Sequence, residues 1–454
     1  MNLRTSVLAR LIAMGVLLGG LLIPLSMIES VVSDRATRRR SVTEEIGASW
    51  GGPQRISGPV LVVPFRYVVN EPGTRRELVG RASFLPESFD ARAVLEPETR
   101  RRSLFTATVY RAHLKISGHF SRPDFSKVTS MPVTPLWNEA TVGVGIADPR
   151  GISKRVTLTM GGREAPFIPG GGDTCLFATG LRTSTPLGDG LPEGTTLPFA
   201  FELDVNGTRD FRLLPSGSDT SVQMTSTWPH PSFAGAPAPD HTTTGAGFTA
   251  TWRVPYFGRG FAPAWTDVGL DCDKLKALAD AAAFGVSLIQ PVDIYQQSER
   301  AIKYASLFIV LTFALFFLCE IVRSQLLHPI QYLFVGFAMS VFYLLLVSIS
   351  EHLGFDVAYV CASVSTISLI ACYSGYALGG AREGALLGSA LSALYGFLYL
   401  LLRLEDYALL AGSLGLFLML ALLMLATRRV NWYELRIGGE VSGPVDPGRP
   451  ARSV

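Results

Sequence analysis

The sequence predicts a polytopic membrane protein with six transmembrane α-helices, one N-terminal and five in a C-terminal bundle, and a large mainly-β extracytoplasmic domain. The mean hydropathy of +0.31 and the 48% hydrophobic residues are high for a soluble protein of 454 residues. The excess is concentrated in residues 305–426, which contain no lysine and whose charges form clusters about one bilayer crossing apart. Residues 29–304 instead show short alternating apolar runs between glycines and prolines, as strands do.

The first predicted span covers residues 11–28 and follows Arg4 and Arg10. An uncharged stretch behind basic residues fits either a cleaved secretory signal or a retained anchor. This stretch is longer than a usual signal core, and no Ala-x-Ala cleavage site follows it before Glu29. We therefore interpret it as a transmembrane anchor that leaves residues 1–10 in the cytoplasm.

Residues 29–304 are predicted to form one β-rich domain outside the cytoplasm. Strong strand patterns occur at 59–69, 104–120, 141–148, 154–162, 197–207 and 247–257. Helical patterns are confined to 42–47 and 275–283, and the segments 123–136 and 229–246 have the composition of long surface loops. With many strands and few helices, a sandwich or a pair of antiparallel sheets is the expected architecture.

The C-terminal bundle is predicted from five apolar stretches joined by very short connections, at 305–322, 330–350, 357–378, 384–402 and 407–426. Arginines are the charges that favour the cytoplasmic side of a membrane. Six crossings place Arg323, Arg382 and the arginines of the tail on the same side as Arg4 and Arg10. Both termini, including the tail 427–454, are therefore expected in the cytoplasm.

Catalytic and nucleic-acid-binding signals are weak. The net charge is only +3, and no run of lysines interleaved with aromatic residues occurs, so nucleic acid is not an expected partner. His113, His119, His230 and His241 do not show metal-ligand spacing, and no nucleophile motif is present. We expect a protein that is not an enzyme and has no metal or cofactor; its expected partners are the lipid bilayer and an unknown envelope protein or lipid.

Ionisable residues of the predicted bundle lie near its ends. Glu320, Glu351 and Glu405 are each within a few residues of a predicted membrane interface. Solvated or snorkelling side chains are therefore expected, whereas a transporter would be expected to bury a charge nearer mid-span.

A stripe of small residues at four-residue spacing marks one predicted span. Such a stripe lets a second helix approach closely, either within the chain or in a homo-oligomer. Its members are Gly384, Gly388, Ser392 and Gly396.

Two further features of the β-rich domain suggest contacts. Cys175 and Cys272 are the cysteines that could meet as a disulfide, although their sequence separation does not fix their geometry. Tryptophan beside glycine suits a recognition surface, with core packing as the alternative. The candidate interaction surface consists of Trp50, Gly51, Gly52, Pro53 and Trp252.

Several long segments of the sequence have a distinctive composition. They are SWGGPQRISGPVLVVP (49–64), LKISGHF (114–120), ADPRGI (147–152), SFAGAPAP (232–239), GFTATWRV (247–254), QPVDIYQQSERAIKYA (290–305), and the stretches 327–355, 394–417 and 427–433. In these segments the sequence closely resembles the CreD family of inner-membrane proteins, described as cell envelope integrity proteins of Gram-negative bacteria. The resemblance implies a multi-pass protein of the bacterial inner membrane with its β-rich domain in the periplasm. It also implies expression under a two-component system, and it transfers no catalytic residues.

We expect a non-catalytic scaffold or envelope-maintenance factor that contributes to cell envelope integrity. The alternative is a transporter or lipid-handling membrane protein whose periplasmic domain binds the substrate.

Overall fold

The computed structural model describes residues 7–71, 74–102, 104–171, 174–192, 194–289, 294–323, 327–404 and 407–428. Glu405, Asp406 and all but the first two residues of the predicted tail 427–454 lie outside this part of the chain. The molecule divides into a helical unit, Met1–Arg38 with Val292–Val454, and a β unit, Arg39–Pro291.

Helix α1 runs from Val7 to Trp50, far beyond the apolar stretch 11–28. Hydropathy marks where a helix can lie in lipid, but the polar residues after Met27 are adequate helix formers and contain no proline. The helix ends where Gly51, Gly52 and Pro53 follow. The units therefore divide at Arg38 and Pro291 rather than at the predicted limits 29 and 304.

In the helical unit, the part of the chain that the structure describes forms six further helices after α1. Their bounds are α3 Ile294–Lys303, α4 Ala305–Arg323, α5 Pro329–Leu353, α6 Phe355–Ala377, α7 Ala381–Arg403 and α8 Ala408–Thr427. Among the described residues, five helices are long and apolar enough to cross a membrane, namely α1, α5, α6, α7 and α8. Helices α3 and α4 form a pair bent by 45°, and this pair can count as a sixth span. The predicted fold class is confirmed: one N-terminal and five C-terminal helices accompany a mainly-β unit.

Aromatic and small residues set the packing of the helical unit. Phe342 of α5 meets the rings of Tyr359 and Tyr395 edge-on at 5.6 and 4.8 Å between centroids. The hydroxyl of Tyr359 donates to the carbonyl of Tyr395 at 2.6 Å, which satisfies a polar group in an apolar interior. On α1, Leu21 is 1% exposed and fills the space beside Gly336.

Between the end of α1 and α3, the described residues of the β unit form 18 strands, one α-helix and short 3-10 turns. The strands are β1 Gln54–Glu71, β2 Thr74–Phe84, β3 Ser88–Arg102, β4 Phe105–Ser121, β5 Val133–Pro135, β6 Thr141–Ile146, β7 Thr157–Met160, β8 Arg163–Pro166, β9 Ile168–Pro169, β10 Gly180–Ser184, β11 Thr196–Thr208, β12 Asp210–Leu213, β13 Asp219–Ser226, β14 Pro231–Ala234, β15 Asp240–Thr244, β16 Gly247–Pro255, β17 Ala264–Thr266 and β18 Phe284–Leu288, with helix α2 at Cys272–Ala282.

These strands form two sheets that share one hydrophobic core. The first has the order β14-β18-β12-β1-β6-β10-β9, with β2 and β5 also paired to β1 and β17 paired to β2. The second has the order β15-β16-β13-β3-β4-β11-β7-β8. Strand β3 shows the alternation that such packing needs: Phe89, Ala91, Ala93 and Leu95 are buried and the residues between them are not. Pairing is antiparallel except between β1 and β12 and between β3 and β13.

The predicted loops 123–136 and 229–246 contain strands, which corrects the prediction for both segments. The first holds β5, which pairs with β1, and the second holds both β14 and β15. Glycine and proline dominate the composition of 229–246, but the β-branched run Thr242–Thr244 pairs with β16.

A side-chain cap and a disulfide bond hold the N-terminal end of helix α2. The side chain of Asp271 caps it by accepting the N–H of Lys274 at 3.0 Å. Cys272 forms a disulfide with Cys175, and their Cα atoms lie 5.1 Å apart. Leu275 and Ala279 pack into a small core with Leu176 and neighbouring residues.

Candidate functional site

The turn Trp50–Gln54 leads from α1 into β1, and its geometry requires glycine at position 51. Gly51 has φ +114°, in the left-handed region that side chains avoid. A Cβ at this position would also lie 2.7 Å from the carbonyl oxygen of Asn206 and 3.1 Å from the Cα of Gly151. Both the backbone conformation and the close approach of two other segments therefore exclude a larger residue.

Gln54, the first residue of β1, connects the two sheets through its buried amide. Only 1% of the residue is exposed. Its Nε2 donates to the carbonyls of Asp148 at 3.0 Å and Asn206 at 2.9 Å, and its Oε1 accepts the N–H of Asp148 at 3.3 Å. Asp148 follows β6 of the first sheet and Asn206 lies in β11 of the second. The side chain thus satisfies polar groups of both sheets at once.

Asp148 holds the same turn from its other side. Its carboxylate accepts the N–H of Gly52 at 3.1 Å and two hydrogen bonds from the guanidinium of Arg150, at 2.9 and 2.7 Å. The hydrogen bonds from Arg150, reinforced by the backbone N–H groups and opposed by partial burial, lower the pKa of Asp148 to about 2. Thr208 completes the arrangement by donating its hydroxyl to the carbonyl of Gly51 at 2.7 Å.

Trp50 is partly buried rather than freely displayed. Its indole N–H donates to the carbonyl of Tyr110 at 3.3 Å, and the guanidinium of Arg100 lies 4.2 Å from the centre of its ring. Pro53 is exposed and Gly52 is half-buried. The turn therefore serves first as a junction of the fold, and binding of a partner to Trp50–Pro53 stays a prediction.

Trp252 cannot belong to an exposed surface, which corrects the prediction for this residue. It is 0% exposed and its ring packs against Phe284 and Phe233 at 5.4 and 5.8 Å between centroids. Its position in β16 alternates with exposed residues, so its side chain points into the core.

Glu320 is buried in the helical unit, with 2% of its side chain exposed. Its carboxylate forms an ion pair with Arg10, accepts the hydroxyl of Tyr332 at 2.9 Å and accepts the N–H of Leu327 at 3.1 Å. We predicted a solvated side chain because Glu320 lies near the end of α4. That prediction is wrong because α1 and the segment that starts α5 cover this end of the helix.

A cavity of about 20 Å³ adjoins this carboxylate and is lined in part by Arg10, Met14 and Tyr332. It is large enough for about one water molecule.

Glu351, at the end of α5, has a similar environment, so its predicted solvated position is also corrected. Its side chain is 8% exposed, accepts the hydroxyl of Tyr295 at 3.0 Å and lies 3.8 Å from the guanidinium of Arg35. Helix α1 therefore supplies one arginine to each buried carboxylate, and a tyrosine from another helix supplies a hydroxyl. Glu405, the third predicted carboxylate, lies outside the described residues.

These two clusters can hold helices together. A carboxylate in an apolar interior is costly unless a cation and hydrogen-bond donors compensate its charge. Arg10 with Tyr332, and Arg35 with Tyr295, provide that compensation. Because each cluster joins α1 to another helix, the clusters fix the rotation and the register of α1 in the helical unit.

The small-residue stripe is only half used for packing within the chain. A Cβ at Gly384 would lie 2.6 Å from the carbonyl oxygen of Ala371, and a Cβ at Gly388 would lie 3.1 Å from the Cβ of Ala371. These two glycines let α7 approach α6. Ser392 and Gly396 are exposed, so their packing against a second copy of the chain stays a prediction.

The histidines of the β unit make separate contacts. His113 bonds Asp204 at 2.7 Å, His119 bonds Ser88 at 2.6 Å, and His241 lies 3.2 Å from the carbonyl of Pro239. Within the described ranges, no group of three or more His, Cys, Asp or Glu side chains is placed to hold a metal ion.

Sequence reasoning missed four residues of the buried clusters. Arg10 was interpreted only as a charge flanking a span, and no contact was predicted for Arg35, Tyr295 or Tyr332. A signal existed for Tyr295, since the apolar positions of 294–302 recur at helical spacing and predict an amphipathic helix. No local pattern identifies the pairing of Arg10 with Glu320, which are 310 residues apart.

Comparison with solved structures gives only weak similarity. An M1 zinc metallopeptidase from Deinococcus radiodurans matches with 13% sequence identity and a TM-score of 0.17, over 38% of this chain and 41% of that one. Similarity at this level carries no information about fold or activity.

Sequence comparison gives a clear result. The family model described as inner membrane protein CreD matches residues 6–433. The inner membrane protein CreD of Escherichia coli (strain K12) is 33% identical over 421 residues, which cover 92% of this chain and 92% of that protein. The match spans both units, from the anchor to the end of the bundle. The chain therefore belongs to the CreD family of inner membrane proteins.

Proposed function

We propose that this protein is a non-catalytic scaffold of the cell envelope, made under two-component control, that presents its β unit on the periplasmic side of the inner membrane and maintains envelope integrity. One observation carries the proposal: α1 has fixed contacts in each unit. In the helical unit its residues Arg10 and Arg35 neutralise buried carboxylates. In the β unit its last residue, Trp50, enters the junction formed with Gln54 and Asp148.

The residues within the family-like segments support a structural role. SWGGPQ and ADPRG lie against each other, and their polar atoms are used by the bonds among Gly52, Gln54, Asp148 and Arg150. A catalytic site needs groups that remain available to a substrate. The proposed function instead needs a rigid β unit and a firmly seated anchor helix.

The test is complementation of a deletion strain by full-length variants, with detergent tolerance and periplasmic leakage as readouts. Arg10→Gln combined with Glu320→Gln removes the charges while keeping side chains of similar volume. Because replacing both members of a buried ion pair leaves no uncompensated charge, the anchor helix of this variant stays seated. A scaffold with this variant therefore accumulates in the membrane and restores tolerance. Loss of tolerance despite normal accumulation would contradict the proposal.

A second candidate function, ion-coupled transport or lipid handling, is favoured by the burial of Glu320 beside the water-sized cavity. The same complementation separates the two functions. In an ion-coupled transporter, Glu320→Gln alone abolishes activity even where the protein accumulates. In a scaffold, any loss with this single variant follows reduced stability and is recovered by the double variant with Arg10→Gln.

A further inference from the structure

A cluster of arginines follows the apolar part of α1. The stretch Asp34–Arg40 contains four arginines and one aspartate, so its net charge is +3. We call this stretch the arginine segment. It belongs to one continuous helix, because α1 runs without a break from Val7 to Trp50. Cytoplasmic segments carry the excess of arginine in membrane proteins, so membrane topology does not account for this charge under the proposed orientation.

The ion pair between Arg35 and Glu351 places the arginine segment relative to the bilayer. Glu351 directly follows the apolar stretch 330–350 of α5 and lies 3.8 Å from the guanidinium of Arg35. Arg10 and Glu320 form the corresponding pair at the other end of the helical unit. From Arg10 to Arg35, α1 rises about 38 Å at 1.5 Å per residue, slightly more than the roughly 30 Å of the hydrocarbon core. Arg35 therefore lies where the hydrocarbon meets the lipid headgroups.

The rest of the arginine segment extends through the headgroup layer. This layer is about 5–8 Å thick on each side of a bilayer. Arg38 and Arg40 follow Arg35 by about 4.5 and 7.5 Å along the helix axis. The Cα–Cβ bonds of an α-helix tilt toward its N-terminus, which for α1 is the side of the apolar stretch. The side chains of Arg38 and Arg40 therefore lean back toward the lipid phosphates.

Two guanidinium groups of the arginine segment are available to a ligand. Arg38 and Arg40 are exposed, and among the residues that the structure describes no carboxylate lies within 4 Å of either. Asp34 precedes Arg38 by one helical turn but does not pair with it. Arg35 is 49% exposed despite its ion pair, whereas Arg39 is half-buried and makes a contact of its own. The segment thus presents two uncompensated cations and part of a third.

The phosphate groups of anionic lipids suit these cations in chemistry and in position. A phosphodiester carries one negative charge, and guanidinium groups bind phosphate oxygens through charge-assisted hydrogen bonds. Membership of a family of inner membrane proteins places a bilayer around the apolar part of this helix. Attraction of arginines to an anionic membrane surface acts over about one Debye length, roughly 8 Å, which covers the whole arginine segment. A soluble anion is not held at this distance.

We propose that the arginine segment binds anionic phospholipids, with the guanidinium groups of Arg38 and Arg40 on the phosphate groups of the leaflet that α1 leaves at Arg35. Such binding fixes the depth of α1 in the bilayer and enriches anionic lipids around the helical unit. The proposal goes beyond the scaffold function and does not rest on it, since it applies to either leaflet.

The test is photolabelling of the full-length protein in nanodiscs of dioleoylphosphatidylcholine. The two probes are phosphatidylglycerol and phosphatidylcholine, each with a diazirine in its headgroup and present at the same fraction. Mass spectrometry quantifies the label on peptides from residues 29–45, so lipids bound elsewhere do not contribute. We expect about fivefold or more label from phosphatidylglycerol than from phosphatidylcholine, because each arginine near the surface adds to the attraction.

Arg38→Gln combined with Arg40→Gln is expected to lower the phosphatidylglycerol label by about threefold or more and to leave the phosphatidylcholine label unchanged. Arg92→Gln combined with Arg253→Gln is the matched control. It also removes two exposed arginine charges, from strands β3 and β16, and is expected to keep the preference of the parent. Exposed positions are used throughout, so the variants retain the packed core.

Loss of the preference in the first double variant, with its retention in the control, supports the proposal. Equal labelling by the two lipids in the parent, or equal losses in the two double variants, overturns it. Competition by soluble sn-glycerol 1-phosphate that is as effective as competition by unlabelled phosphatidylglycerol overturns it in favour of a site for soluble phosphates.

Discussion

Leu21 of α1 occupies the space that any side chain at position 336 of α5 would need. This pairing of a leucine with a glycine seats the anchor helix, and burial leaves only 1% of Leu21 exposed. Close approach at a small residue is a general means of helix association in membranes. The packing of α1 against α5 can therefore be tested by a substitution that adds one methyl group at position 336.

Gly336→Ala is expected to lower the stability of the helical unit by about 1–3 kcal/mol, because the new Cβ overlaps Leu21 in a packed interface. Gly396→Ala is the matched control, since no neighbour lies within 4 Å of a Cβ at that position. The measurement is thermal unfolding of the full-length protein in detergent. Equal melting temperatures for the two variants would show that α1 is not seated against Gly336.

Glu320→Gln is expected to destabilise the protein by about 3–5 kcal/mol, because it removes the buried carboxylate that forms an ion pair with Arg10. The double variant with Arg10→Gln should recover part of the loss, since it removes the cation of this ion pair as well. Chemical unfolding of the single and double variants measures the coupling. A double variant whose loss equals the sum of two single losses would exclude the interaction.

Gly51→Ala is expected to disrupt the junction between α1 and β1. The substitution imposes about 1–3 kcal/mol of strain at positive φ, and the new Cβ approaches the carbonyl of Asn206 as well. Gly162→Ala shares the positive φ, +78°, but has open space around its Cβ. The difference in melting temperature between the two variants therefore reports the packing at the junction. No difference would mean that Gly51 is required for its φ alone.

The stability contributed by Asp148 is expected to depend on pH. Its folded pKa of about 2 lies below the unfolded value of 3.8, so its contribution is fully present above about pH 4 and is lost as the pH falls toward 2. Asp148→Asn should lower stability at neutral pH and flatten the decline between pH 4 and 2. Tryptophan fluorescence during urea unfolding at several pH values measures both effects. An unchanged slope in the variant would assign the acid sensitivity to other carboxylates.

Reduction of the disulfide between Cys175 and Cys272 is expected to destabilise the β unit. The bond closes a loop of 97 residues, for which the chain-entropy model gives about 4–5 kcal/mol. The double variant with serine at both positions should melt at a lower temperature than the parent and lose its sensitivity to dithiothreitol. Cys319→Ser, in α4, is the control and should keep that sensitivity. A parent protein that melts identically with and without reductant would contradict the expected contribution.

Hydropathy and alternation predicted the elements of this fold better than their arrangement. The spans are local in sequence, because a helix in lipid must satisfy its own backbone, and they were found close to α4–α8. The order of the strands could not be predicted, since the parallel pairing of β3 with β13 joins residues about 130 positions apart. The mixed parallel and antiparallel character of both sheets follows from such long-range pairings.

The candidate site was less predictable than the fold. Gln54 begins a strand in a polar segment, and nothing local separates a buried amide that joins two sheets from an exposed one. Trp252 and Trp50 were assigned to the same candidate surface, but strand alternation directs Trp252 into the core and the end of α1 leaves Trp50 partly buried. Glu320 lies near a helix end, and its burial arises only because α1 and Leu327 cover it.

The pairing of Arg10 with Glu320 has a consequence for biogenesis. The arginine is made 310 residues before its partner. At about 5–20 residues per second, the ribosome needs roughly 15–60 s to reach the glutamate after it has made the arginine. During that interval the emerging anchor resides in the translocation machinery or the lipid before Glu320 exists, while the β unit is synthesised behind it. Assembly of the helical unit is therefore completed late in synthesis, because α1 can form these contacts only after α4 and α5 have been made.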